Sequence, residues 1–373
     1  MIGTILEEIA GAGINIHAHV PPSFARVQMG SRREGRAVWA LFANRRATPS
    51  VIIKVDHSAR YRHRLVAEHE ALTALRPRED LTGTVPRPLG LVRTKRRIIV
   101  IQTGLPGRPM NVVLRQRGRA SARISARDHE GTFDWLSTLQ SRPPAGTVTI
   151  HPDAVHERVA TAVGEPLDRQ RAFLRHVRDL GTAIGQVQLP LLPGHGDLGT
   201  SNCLLDRSAV RVIDWEGGAH PRTPIEDAVL LLNHYARALP VSHLPPNRFD
   251  AFHRAFLNGD WLGELTARSF GRHLRRLGLP VGLDEYLFVA TLADLATGHA
   301  QTAHVDATVT YWTMLLRSYA DRFAECLART EITGSGTLAF QSPPSTRERV
   351  GNQWPSKSGS PPSCASTPTV RAR

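Results

Sequence analysis

The spacing of apolar residues changes character once along the chain. Over residues 24–102 it comes as short apolar runs between turn-forming residues. Phe24–Met29 and residues 37–42 read as two strands joined by a turn over Gly30 to Gly35, and residues 51–55 as a third strand. Residues 62–76 bring Leu65, Leu72 and Leu75 onto related turns of a helix. Pro86 and Pro88 interrupt the chain, residues 97–102 form an Ile/Val-rich strand, and Gly104-Leu105-Pro106-Gly107 reads as a hinge. Residues 1–18 are expected to form one short helix.

Beyond the hinge the period becomes helical. Helices are expected over 108–117, 128–140, 154–188, 224–238, 247–259, 262–277, 283–301 and 306–328, interrupted by a short strand over 210–214. Residues 331–373 are rich in Ser, Pro, Thr and Gly and read as a disordered tail. The expected class is therefore α+β: a small β-rich lobe over 1–105, a hinge, and a larger helical lobe over 106–330.

Composition narrows the setting. No apolar run reaches the roughly 18 residues that a membrane span needs. The first twenty residues carry Glu7 and Glu8 and no basic segment, unlike a secretory leader. Cys203, Cys326 and Cys364 are too scattered for a disulfide framework or a zinc site, so a reducing, cytoplasmic setting is expected. The net charge of +14 concentrates in residues 1–105, which hold 17 basic residues against 8 acidic ones; residues 106–330 hold 25 against 23. Without interleaved aromatics or a nucleic-acid motif, this basicity does not point to a nucleic-acid partner. Only three of the 47 basic residues are lysines, Lys54, Lys95 and Lys357. A lysine kept inside the apolar run 51–55 asks for a reason specific to an ammonium group.

The chemistry concentrates in two blocks. His195-Gly196-Asp197-Leu198-Gly199-Thr200-Ser201-Asn202 has the form H-x-D-x-x-x-x-N, and Ile213-Asp214-Trp215-Glu216 places its aspartate twelve residues later. Phosphoryl transfer needs a carboxylate that orients the attacking hydroxyl and two oxygen ligands that hold magnesium on the phosphates. Asp197 is the candidate catalytic base, with Asn202 and Asp214 (expected at the end of a strand) as candidate metal ligands. His195 is expected to hold the loop by hydrogen bonds, and Cys203 to fill core space.

Together these blocks resemble the signature of aminoglycoside phosphotransferases, choline kinases and homoserine kinases. The resemblance covers roughly residues 20–320 and implies a protein-kinase-like two-lobed fold. It also implies ATP (or GTP) with Mg2+ as cofactors, and a small-molecule hydroxyl as acceptor. Lys54 stands where the family keeps a lysine for the nucleotide phosphates. Its partner would be a helix glutamate, Glu68 or Glu70; the spacing to Leu72 and Leu75 favours Glu68. Asp227 matches a further family aspartate with a structural role. The segment 99–107 resembles the family's adenine-binding hinge. The turn after Met29 departs from G-x-G-x-x-G, so the backbone amides that would touch phosphate are not identified. The rival reading is a catalytically inactive kinase-like binding protein. Tyr286, Trp312 and Tyr319 are expected in the core in preference to an acceptor pocket, and the basic run from Arg115 to Arg127 in solvent.

The tail carries too little apolar surface to offset its chain entropy. Deleting residues 331–373 is expected to move the melting temperature by less than about 5 °C. A larger fall in a thermal melt would show that the segment docks.

Overall fold

The computed structural model describes residues 2–21, 24–29, 36–43, 47–56, 59–118, 121–207, 209–240, 248–280, 282–298 and 305–333. Residues Met1–Gln341 form one compact unit, and Ser342–Arg373 lies outside the described residues. The architecture is α+β, with an antiparallel sheet preceding a larger helical part.

The chain begins with helix α1 (Ile2–Gly11), which presents Ile2, Ile5 and Ile9 to the core. The helix expected over 1–18 stops there: Gly13 adopts φ +75 and a separate 3-10 turn follows over Ile16–Ala18. Strands β1 (Phe24–Met29), β2 (Arg36–Ala43) and β3 (Val51–Asp56) follow, with the turn from Gly30 to Gly35 outside the described residues. Helix α2 (Ala59–Leu75) leads to β4 (Pro88–Arg93) and β5 (Ile98–Thr103). The sheet order is β1-β2-β3-β5-β4, antiparallel throughout.

Strand β4 was not expected. Pro86 and Pro88 read as breakers, but Pro88 opens β4, which among the described residues pairs with β5 alone and carries a register shift between Pro88 and Gly90. A proline is tolerated on such an edge, where no ladder donor is missed. A Cβ at Gly90 would lie 2.3 Å from Ile14 Cδ1, the end of a flexible side chain that would have to shift.

The two-residue period of the strands sorts the sheet's faces. Val51, Ile53, Val55, Ile99 and Ile101 pack against α1. Ile98 and Val100 pack against Leu65 of α2 on the other face. Lys54 pairs with Val100, so it shares the face turned towards α2. Further along the same helix, Ala71, Leu72 and Leu75 join the large core of the helical part. One helix is thus anchored in both parts, with Glu68 midway.

After β5 the chain passes through β6 (Arg108–Pro109), α3 (Met110–Gln116), α4 (Ala122–Leu139), β7 (Gly146–Ile150), α5 (Pro152–Val163), α6 (Asp168–Ile184) and β8 (Val187–Pro193). It continues through β9 (Cys203–Asp206), β10 (Ala209–Val212), β11 (Pro221–Arg222), α7 (Glu226–Ala238), α8 (Arg248–Phe256), α9 (Trp261–Arg276), α10 (Asp284–Thr297) and α11 (Val305–Thr333). The single helix expected over 154–188 is in fact α5, α6 and the first residues of β8. Gly164 and Gly185, at φ +74 and +75, end the two helices, and Pro166 bars a continuation. Arg317 of α11 donates to the carbonyl of Ala162 at 3.0 Å, satisfying the end of α5. Helix α11 runs to Thr333, three residues into the expected tail; the rest of that segment lies outside the described residues.

Two small sheets, β10-β9-β6 and β11-β8-β7, frame the segment between Gly194 and Asn202. Around them one core runs through Leu136, Trp215, Phe252, Phe288, Trp312 and Phe323. No helix among the described residues is long and apolar enough to cross a membrane.

Two buried histidines in this core make stability pH-dependent. Burial lowers His129 from its ordinary 6.5 to about 3, and Ser269 Oγ lies 3.0 Å from its Nδ1. Burial also lowers His273 to about 4, against the pull of its 3.2 Å hydrogen bond to the Pro224 carbonyl. Both are neutral in the fold, while in the unfolded chain they protonate near their ordinary value. The unfolded state therefore takes up protons first, and stability present above about pH 6.5 is lost on acidification towards about pH 4. Urea unfolding across that window should show the loss. His129→Gln should reduce its slope by about 1.4 kcal/mol per pH unit, one proton's share; an unchanged slope would exclude His129 as a source.

Candidate active site

The site is assembled around a loop, a hairpin and two helices. Strand β8 ends at Pro193 and delivers Gly194-His195-Gly196-Asp197 to the surface of the helical part. The loop is pinned by side chains from elsewhere. Asp227, in the first turn of α7, accepts the backbone N–H of His195 at 2.6 Å and that of Gly196 at 2.9 Å. The His195 ring spans the loop: Nε2 donates to the Ile213 carbonyl at 3.0 Å, and Nδ1 accepts the Asp197 N–H at 3.3 Å. Trp215, fully buried, packs its ring 4.7 Å from that of His195. These contacts give His195 and Asp227 the structural roles expected of them.

Arg222 is an organising residue that the sequence did not single out. It is 3% exposed, donates to Glu226 Oε1 at 3.0 Å and to the Gly217 carbonyl at 3.2 Å, and lies flat against the loop. A Cβ at Gly194 would sit 2.2 Å from its Cδ, and one at Gly196 2.4 Å from its Nη1. Gly196 also holds φ +79, so both the space and the backbone demand glycine there. Burial pushes the Glu226 carboxyl up to about 7, against the pull of Arg222.

The loop then presents Asp197 and Asn202 together. Asn202 Nδ2 donates to the Asp197 carbonyl at 2.8 Å and to its carboxylate Oδ2 at 3.2 Å. Burial pushes the Asp197 carboxyl up to about 6, with Asp214 and Asp227 adding to the rise and His195 and Asn202 opposing it. With its amide nitrogen given to Asp197, Asn202 accepts from Ser201 Oγ at 3.4 Å through its oxygen, whose second lone pair could take a cation. The hairpin β9–β10 pairs Cys203 with Val212, and the Ile213 N–H donates to the Asn202 carbonyl at 2.9 Å. Asp214 is thereby carried to the same place as Asn202. It lies two residues beyond β10, not at its end as expected, and adopts φ +69, which bends the chain back towards the sheet side. Cys203 is fully buried, as a core filler should be.

From the other side comes Lys54. Its Nζ lies 2.6 Å and 2.7 Å from the two oxygens of Glu68, and 2.6 Å from Asp214 Oδ1. Glu68 is fully buried and Glu70 is exposed, which decides between the two candidates. The reason is register: Leu65 faces Val100 across from Lys54, and Glu68 is one turn further along that face. Burial by itself would lower the ammonium pKa; Asp214 and Glu68 outweigh it, and Lys54 is held above its ordinary value, charged.

One oxygen each of Glu68, Asp214 and Glu216 lie within 4.8 Å of one another, the one such cluster of metal-ligating groups among the described residues. Glu216 belongs to the block read from sequence but had been given no role. Carboxylates with the Asn202 amide make an all-oxygen donor set, which suits a hard cation such as Mg2+.

The hinge is narrower than its sequence suggests. Gly104 donates its N–H to the Ser50 carbonyl at 3.0 Å, and a Cβ on Gly104 would lie 2.0 Å from the Pro49 oxygen. Thr103 donates to the Arg87 carbonyl at 2.9 Å. Tyr286, Trp312 and Tyr319 are each 1% exposed and belong to the core. In the basic run, Arg117 pairs with buried Asp128 and does not stand alone in solvent.

The chain is similar to several solved structures. It shares 17% identity and a TM-score of 0.42 with the aminoglycoside phosphotransferase APH(3'')-Id from Streptomyces rimosus, over 78% of this chain and 96% of that one. An aminoglycoside-3'-phosphotransferase of type VIII matches at 19% identity and a TM-score of 0.43, over 76% and 97%. A GDP complex of aminoglycoside 2'-phosphotransferase-IIIa matches at 12% and 0.49, over 85% and 99%. No curated protein sequence matches the chain. The α+β order expected from the sequence, a small antiparallel sheet before a larger helical part, is the one found, and residues 27–264, more than half of the chain, match a family model. The chain belongs to the phosphotransferase enzyme family.

Proposed function

We propose that the protein transfers the γ-phosphate of ATP, bound with magnesium, to a hydroxyl group of a small molecule. The observation that carries this reading is the Lys54 ammonium, held at 2.6 Å by both Glu68 and Asp214 beside the loop that bears Asp197. A buried ammonium between two carboxylates is an anchored charge, aimed by Glu68 and ready to take phosphate oxygens as further partners. Lys54 with Glu68 would position the nucleotide's phosphates. Asn202 and Asp214 would hold the cation, with Glu216 close by. The cation's contribution, when bound, is to neutralise charge on the phosphates.

Asp197 would accept the proton of the acceptor hydroxyl as the oxygen attacks phosphorus. A carboxyl raised to about 6 is still ionised near neutrality and is a better base than an ordinary aspartate. Asn202 restrains it, and the loop's external clamps remove the need to reorganise during the reaction. Gln102, 2% exposed and two residues before Gly104, could turn either its amide oxygen or its NH2 to a base edge, so ATP or GTP would be accommodated there.

Asp197 and Asp214 should fail differently. Asp197→Asn should bind Mg·ATP with near-normal affinity while losing phosphoryl transfer by about 10²-fold or more. Asp214→Asn removes a charged partner from both Lys54 and the cation, and should weaken metal-dependent nucleotide binding as well as turnover. Calorimetric Mg·ATP affinities beside turnover on a hydroxyl-compound panel distinguish them. The reverse pattern would exchange the roles. A wild-type protein that binds nucleotide but transfers to nothing would favour the inactive binding protein.

A further inference from the structure

Helix α7 runs lengthwise along the catalytic loop. At its start Asp227 holds the loop's backbone. Two turns on, His234 packs onto Gly199, where a Cβ would lie 2.7 Å from the imidazole Nδ1, and the His234 carbonyl accepts from Thr200 Oγ1 at 3.4 Å. One further turn along the same face, a rise of about 4.5 Å, stands Arg237, exposed. Its guanidinium carbon lies 5.1 Å from the ring centroid of Tyr311 on α11. Arg248, the first residue of α8 and also exposed, reaches the same ring at 5.8 Å. The ring is fixed: its hydroxyl and the side chain of fully buried Asn233 exchange hydrogen bonds at 3.2 Å and 3.3 Å.

Most arginines of the helical part that make side-chain contacts have a carboxylate beside them: Arg158 with Asp294, Arg254 with Asp260, Arg272 with Glu130, Arg276 with Asp134. Among the described residues, Arg237 and Arg248 have none. Two guanidinium groups gathered on one aromatic ring repel each other, and one ring's quadrupole is a weak counterweight. An anion between them would turn that repulsion into attraction, and the planar forks suit the paired oxygens of a carboxylate or phosphate.

From this geometry we infer that the acceptor carries a carboxylate or phosphate group, which Arg237 and Arg248 bind beside Tyr311 while its hydroxyl lies at Asp197. This specificity assignment rests on the kinase reading above. It excludes a polycationic acceptor, such as an aminoglycoside, from lying along this wall. His234 serves as the spacer between the two ends. It is kept neutral at about 4 by burial first and by Arg237 second, so it adds no charge of its own.

The test uses the full chain loaded with Mg·AMP-PNP, which fills the phosphate-binding end. Citrate supplies the carboxylate arm and glucose 6-phosphate the phosphate arm, with glucose and streptomycin as neutral and cationic controls. Calorimetry should find at least one anion binding at about millimolar or tighter, and neither control. Arg237→Gln/Arg248→Gln should weaken that binding by about tenfold or more. Arg268→Gln, on an exposed helix face elsewhere, should not change it. The single variants guard against misfolding of the double one; each should show part of the loss with an unchanged melting temperature and Mg·AMP-PNP affinity. Nucleotide binding without binding of either anion, equal anion binding by the double variant, or tighter streptomycin than anion binding would overturn the inference and leave the kinase reading standing. Failure of the wild type to bind Mg·AMP-PNP would instead overturn the kinase reading itself.

Discussion

An ammonium group buried between two carboxylates holds this structure's working parts together. Lys54 comes from the third strand, Glu68 from the helix packed on that strand's face, and Asp214 from beyond a hairpin in the helical part. Neither Lys54 nor Glu68 is tolerable alone where it sits, since an uncompensated buried charge costs several kcal/mol, and the partly exposed Asp214 completes the pairing. Each partner therefore constrains the others. The sheet must present Lys54 to α2, α2 must turn Glu68 inward, and the hairpin must deliver Asp214 across from the helical core. Helix α2 makes this possible because it packs on the sheet through Leu65 and in the helical core through Leu72 and Leu75.

The loop that carries Asp197 shows the complementary strategy. Its own sequence is short and glycine-rich, and nearly all of its rigidity is imported. Asp227 takes two of its amides, Arg222 fills the space its glycines leave open, and the His195 ring ties it to Ile213. The Ile213 contact links the loop to the segment that carries Asp214, so Asp197 and Asp214 share one framework. A loop held from outside in this way can leave the Asp197 carboxylate partly exposed without losing its position.

Charge must be read locally in this protein. The overall excess of basic residues lies mostly before the hinge, where it says little about the acceptor. The helical part is close to neutral in sum, and most of its ion-paired arginines are matched to acids of their own. The exception is a pair of guanidinium groups that share an aromatic ring and have no carboxylate among the described residues.

Much of the site was legible in the chain. Asp197, Asn202 and Asp214 keep a fixed order and spacing because they sit on one loop and the hairpin that follows it, so local sequence carries their relation. Lys54 stood out because it is a lysine inside an apolar strand of an arginine-rich protein. Glu68 was favoured over Glu70 by its spacing to Leu72 and Leu75, and the packing of Leu65 against Val100 turns it inward. Strands β4, β7 and β8 escaped notice because their stability comes from pairing with distant partners and not from their own alternation. The break between α5 and α6 was written in Gly164 and Pro166, yet the apolar period on either side masked it. Arg222, Asn233, Arg237, Arg248 and Tyr311 carry no motif, because their relation spans separate helices and exists only once those helices pack. Local spacing determined which atoms could do the chemistry; long-range packing decided which of them meet, since contacts between distant segments leave no periodic trace in either one.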